Sequence, residues 1–320
     1  MQITAKEKSP VFGSVHRPVH LMRLRTGCAG LVGGVLLAGC GSAAPFSTPA
    51  AGGRVAVVAA ENVWGDIAAQ IGGGHVSVTS IIVDPNADPH SYETDPRGAS
   101  VVTNASFVIE NGAGYDDFID KLLGTNPNPA RDVLSIAQTV GVGGSNPNPH
   151  LWYNPDYVTA AARAIETHLA GHDQADAAVF QANLQVFLAA YQPYIDTLAA
   201  IRARYSGTPI AYTERVPGYL VDKTMLHLGT PASFAQSIED GNDPSPVDTA
   251  AMDNAMTHKR VEVLLYNAQV TSPATQKVRD LATANGIPVV GVAETIPAGE
   301  PDFQAWQIGQ AKTILAALGG

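Results

Sequence analysis

Beyond residue 53 the chain alternates short β-branched runs with stretches of helical periodicity. In the first half, runs at 54–60, 76–83, 107–110 and 131–137 predict strands, and apolar positions three and four apart predict helices at 63–71, after Asp95 and after Tyr115. The helix after Tyr115 carries Phe118, Leu122 and Leu123 on one face. The second half repeats the theme, with strands at 209–214, 230–236, 261–266 and 287–294 and helices at 219–227, 246–258, 274–284 and 303–318. Such alternation marks a parallel βα series, so two similar halves are expected. Between them Phe180, Leu184, Phe187, Leu188, Tyr191, Ile195, Leu198 and Ile201 recur at helical steps over 175–205. That predicts one helix of about 31 residues, or ~46 Å. Pro193 inside it removes the hydrogen bond to Ala189 and predicts a kink there. A helix of this length can run beside both halves and hold them at a nearly fixed angle. The fold class expected is α/β: two doubly wound lobes with parallel sheets, 54–174 and 206–320, joined by a single long backbone helix.

The leading residues follow another pattern. Arg23 and Arg25 precede an uncharged, small and apolar stretch at 26–38, too short to cross the ~30 Å hydrocarbon core as a helix. Leu37-Ala38-Gly39-Cys40 then reads as a lipobox. The expectation is a signal peptide over 1–39, with Met22 as an alternative start. Cys40 would carry lipid on the extracytoplasmic face of the cell membrane, and 40–53, rich in Gly, Ser, Ala and Pro, would be a flexible stalk.

Both cysteines, Cys28 and Cys40, fall in this leader, which leaves the folded part without disulfides or thiolate ligands. Removing 1–39 takes five basic residues and one acidic residue from 19 Lys+Arg and 29 Asp+Glu, leaving 14 against 28 and a net charge of -14. A surface so acidic repels nucleic acid and attracts cations only diffusely. Specific chemistry therefore has to come from defined side chains.

Two Pro-His dipeptides stand out. Pro89-His90 and Pro149-His150 lie sixty residues apart, each after a predicted strand and each with an aromatic residue two positions later, Tyr92 and Trp152. Proline fixes its own φ and restricts its neighbour, so both imidazoles sit in preorganised loops, as a metal site requires.

In order along the chain come Asn62-Val-Trp-Gly65, Asp88-Pro-His-Ser-Tyr-Glu93, Asn148-Pro-His-Leu-Trp152, Tyr212-Thr-Glu214 with Gly218-Tyr-Leu220, Asn242-Asp-Pro-Ser-Pro246 and Glu294-Thr-Ile-Pro297. This series resembles the zinc/manganese solute-binding lipoproteins of ABC transporters. The resemblance implies a metal site in the cleft between two lobes, with His90 and His150 as ligands from the first lobe. It further implies Glu214 as the third ligand. The fourth, usually an aspartate, maps to Glu294, with Glu300 and Asp302 nearby and Glu93 as a further candidate. The cargo implied is Zn²⁺ or Mn²⁺, and the partner is the membrane-spanning permease of the importer, with the receptor itself a monomer.

The chemistry of this set is coherent without the family. Two neutral imidazoles and two carboxylates neutralise a dication, and all four candidates lie at or beyond the carboxyl ends of predicted parallel strands, where open α/β sheets form ligand crevices. Glu214 and Glu294 could instead cap helices starting near Pro217 and Pro297. His75, His168, His172, His227 and His258 lack comparable settings and are read as exposed helix or turn residues. A surface-anchored adhesin and a surface metalloenzyme are the alternative functions. The second is disfavoured because the chain has no His-Glu-x-x-His, nucleophile elbow, phosphate loop or cysteine pair, and four protein ligands close a metal site.

Overall fold

The parallel βα pattern folds into two four-stranded sheets. The computed structural model describes residues 53–84 and 96–320; the leader with Cys40, and His90 with Tyr92 and Glu93, lie outside them. The first sheet has strands β1 (Val55–Glu61), β2 (Val76–Ile82), β3 (Phe107–Glu110) and β4 (Asp132–Ser135) in the order β2-β1-β3-β4, all parallel. The second has β5 (Pro209–Tyr212), β6 (His227–Leu228), β7 (Leu264–Asn267) and β8 (Val289–Val292) in the equivalent order β6-β5-β7-β8, again parallel. Crossovers run through α1 (Asn62–Gly72), α2 (Pro96–Asn104) and α3 (Asp117–Thr125) in lobe one, followed by the short α4 (Ile136–Val140). Lobe two uses α7 (Gly218–Thr224), α8 (Ala232–Glu239), α9 (Pro246–Thr257) and α10 (Pro273–Ala284), and closes with α11 (Phe303–Ala317).

Two helices link the lobes, α5 (Pro155–His172) and the backbone helix α6 (Ala177–Tyr205), which has 29 residues and a length of ~43 Å. α6 buries Phe180, Leu184, Phe187, Tyr191, Tyr194, Leu198 and Ile201 against α1 and α5 on one side and α7 and α11 on the other. Leu188 and Ile195, expected on the buried stripe, are only half-buried, and Tyr194 takes the inner place. Pro193 and Ala189 are exposed, so the carbonyl that loses its helical donor faces water and the helix continues through the proline.

One apolar core runs through both lobes. Val57, Trp64 and Phe107 of lobe one belong to the same buried cluster as Phe187 and Tyr191 of α6 and Val290, Phe303 and Trp306 of lobe two. Two expectations need correction. The segment 230–236 is not a strand, because Pro231 ends the extended chain and Phe234, Ala235 and Ile238 fall on one helical face, giving α8. The pairing strand is the two-residue β6 instead. Likewise the β-branched run at 131–137 turns into α4 after Ser135.

Candidate metal centre

His150 follows Pro149 on the loop between α4 and α5, and three anchors fix it. The side-chain amide of Asn111, at the end of β3, donates to the Pro149 carbonyl at 2.9 Å. Asn148 donates its amide N–H to the Arg215 carbonyl at 2.9 Å, which turns Asn148 Oδ1 toward the histidine. That oxygen accepts the His150 backbone N–H at 3.1 Å and lies 2.7 Å from Nδ1. Since Oδ1 can only accept, Nδ1 carries the hydrogen of that contact, and Nε2 is the ring nitrogen turned toward Glu294. Gly218 permits this approach, because a β-carbon there would stand 2.6 Å from Asn148 Nδ2.

Across the lobes, His150 Nε2 stands 3.4 Å from Glu294 Oε2, both side chains being fully buried. Two donors bound to one dication at ~2.1 Å with tetrahedral angles also stand ~3.4 Å apart. Glu294 follows β8 and is held from three sides. Tyr115 of lobe one donates its hydroxyl to Oε2 at 2.9 Å, and Asn267 at the end of β7 donates to Oε1 at 2.7 Å. The Glu294 backbone N–H donates to Gln269 Oε1. Glu214, after β5, is buried beside this network, since Thr213 accepts the Asn267 backbone N–H at 3.0 Å. The adjacent Arg215 commits its guanidinium to Glu239 at 2.6 Å and 3.0 Å, and to Asn146 on the loop leading to His150.

The capping alternative does not describe Glu294, whose carboxylate has the partners given above. Asp302 caps α11 by accepting the Ala305 N–H at 2.8 Å, while Glu300 is exposed.

The family model for the periplasmic component A of the zinc-uptake complex, ZnuA, matches residues 57–317. The chain belongs to the ZnuA family. It is similar to the manganese-binding lipoprotein MntA of Halalkalibacterium halodurans, 27% identical over 161 residues that make up 48% of this chain and 51% of that protein. The iron-binding protein YfeA of Yersinia pestis is 29% identical over 163 residues, 48% and 50% of the two chains. The chain thus spans about half the length of the curated relatives it matches. Among solved structures, the periplasmic zinc binding protein TroA from Treponema pallidum superposes with a TM-score of 0.70 at 14% identity, covering 83% of this chain and 99% of that one. That likeness is one of fold.

Around the centre this ZnuA-family chain packs Trp152 and Tyr115 on His150, with ring centroids 5.5 Å and 5.7 Å away, and Trp64 behind Trp152. Two further acids are buried in lobe one. Asp116 accepts the backbone N–H groups of Asn111 at 2.6 Å and Gly112 at 2.8 Å, yet burial pushes its carboxyl up to about 7. Glu61, at the end of β1, is raised well above the usual carboxylate range by burial first and by the charge of Asp116 second. With its charge already met by two N–H donors, Asp116 is the better anion of the pair, so the proton belongs on Glu61.

A cavity of about 510 Å³ beside the His150 loop is lined by Glu110, Asp116, Asp117, Asp120, Glu239 and Asp240, against which Arg215 is the single cation. Its field draws cations toward the crevice. Sequence reasoning missed Tyr115, Asn111 and Asn267, which carry no local signal. Asn148 was visible only as part of the Asn-Pro-His motif. His227 and His258 are exposed as expected, but His75, His168 and His172 each approach an aspartate, at 2.7, 2.6 and 3.3 Å.

Proposed function

We propose that this chain is the extracytoplasmic receptor of an ABC importer, capturing Mn²⁺ or Zn²⁺ in the interlobe crevice and delivering it to the membrane permease. His90, His150, Glu214 and Glu294 bind the ion, and lipid on Cys40 anchors the receptor. It is a binding protein and carries out no chemistry. The observation that carries the reading is the cross-lobe pair of His150 Nε2 and Glu294 Oε2, 3.4 Å apart in a fully buried setting. An imidazole lone pair and a carboxylate aimed at one point form half of a neutral N₂O₂ set for a dication. Membership of the ZnuA family supports it, as do relatives named for manganese, iron and zinc binding. Carboxylates that bind through one or two oxygens suit manganese, and a tetrahedral set suits zinc, which binds N/O donors more tightly in the test tube whichever ion is the cargo.

Metal analysis of protein purified without added salts, joined to calorimetric scans with Mn²⁺, Zn²⁺ and chelator, tests this. Ligands from two lobes cross-link them only in the folded state, so the cargo ion raises the melting temperature, by about 2.7 kcal/mol of stability at a hundredfold excess over Kd. Identical melting in all three conditions overturns the receptor reading.

A further inference from the structure

At the other end of lobe one, three metal-binding side chains from separate segments converge. His75 ends the turn after α1, Asp173 follows α5, and Asp176 precedes α6. One donor atom from each lies within 4.8 Å of the other two. His75 Nδ1 is 2.7 Å from Asp176 Oδ2, and the edge of its ring packs on Phe180 of α6 with centroids 5.9 Å apart. The site is remote from the cleft. Val55 pairs with Val76, beside His75, while Glu61 at the cleft edge pairs with Ile82, a separation of ~20 Å along the strands.

We propose that His75, Asp173 and Asp176 form an accessory site for a first-row divalent cation such as Zn²⁺. The spacing allows it, since donors bound to one ion at ~2.1 Å stand ~3.0–4.2 Å apart, within reach of small side-chain adjustments. The charge asks for it. Two carboxylates are held together and, among the described residues, no lysine or arginine forms an ion pair with either, so one imidazole is their sole counterpart. Asp176 occupies the N-cap position of α6 yet its side chain caps nothing and turns to His75 instead. All three residues are partly exposed, so an ion reaches them from solvent. With three protein donors the ion completes its shell with water and binds more weakly than in a four-ligand cleft. When bound, it ties the turn after α1 and the end of α5 to the head of the backbone helix.

The test is a Zn²⁺ titration of the tag-free full chain. Wild type takes two ions, one tight and one weaker, whereas D173N/D176N and, independently, H75A take only the tight one with its affinity unchanged. Asparagine keeps the shape of aspartate, and a chelator-treated melt within a few degrees of wild type certifies the fold of each variant. One ion per wild-type chain overturns the proposal, as does a second ion that survives in D173N/D176N and H75A. A second ion that instead disappears in H168A/H172A belongs to the group in which these two histidines approach Asp132, at 2.6 Å and 3.3 Å, and overturns it equally. Cleft variants such as E294A remove the tight ion and leave the weaker one, so this outcome is separate from that of the receptor reading.

Discussion

His150 and Glu294 each owe their aim to a neutral neighbour. Tyr115 crosses from lobe one to hold Glu294 Oε2, and Asn148 holds Nδ1 of His150 so that Nε2 turns toward Glu294. Groups that orient a ligand typically govern metal affinity by 10- to 100-fold, so Tyr115→Phe should weaken binding by about that range without unfolding the chain. Titration calorimetry on the variant measures it, and unchanged affinity would remove Tyr115 from the site. Glu61 makes a different prediction. The folded chain keeps on this buried carboxyl a proton that the unfolded chain sheds above about pH 4.5. The stabilisation this brings is complete below that pH and is lost as pH rises through the folded value. Metal-free wild type should therefore lose stability relative to Glu61→Gln as pH rises above about 5. Parallel melting curves across that range would show that Glu61 is ionised in the fold.

At the scale of elements, α6 does two jobs with opposite faces. Its inner face supplies Phe187 and Tyr191, stacked with centroids 6.0 Å apart and both packed on Phe303 of lobe two. Phe187→Ala should cost roughly 3–5 kcal/mol, read from urea unfolding, because the hole opens where both lobes meet and neither can collapse into it alone. Its outer face tolerates Pro193, which is exposed. Pro193→Ala restores an N–H donor for the Ala189 carbonyl and should stabilise the chain, by up to about 3 kcal/mol, against a gain in unfolded-state entropy that works the other way. A lower urea midpoint for this variant would mean that the entropy term wins.

For the molecule as a whole, the shared core matters more than the division into lobes. Side chains of lobe one, α6 and lobe two form a single buried cluster. Direct bonds reinforce it, including Asn62 with the backbone of Ile296 at 3.0 Å and 3.2 Å and Tyr153 with the Ala293 carbonyl at 2.8 Å. The metal-free chain should therefore unfold in one transition, with calorimetric and van't Hoff enthalpies equal, and Phe187→Ala should shift that transition without splitting it. Two resolved transitions would show the lobes to be energetically separate. The same rigidity argues against large hinge motion between the lobes.

The sequence by itself determined the alternation of strands and helices, the repeated half-folds and the long linking helix, because these rest on periodicities of two and 3.6 residues that local chemistry writes directly. It also singled out His150, through a proline that restricts the backbone, and the two carboxylates, through motif order. Where a short run could serve as helix or strand, as at 230–236, it misled, since only pairing partners decide that choice. Tertiary structure alone brought Glu294 to within 3.4 Å of His150, 144 positions apart in the chain, and enlisted Tyr115 and Asn267 to hold it. It alone joined His75 to Asp173 and Asp176 as well. Contacts of that kind depend on how two sheets and one helix pack, and packing is a property of the whole chain that no local pattern records.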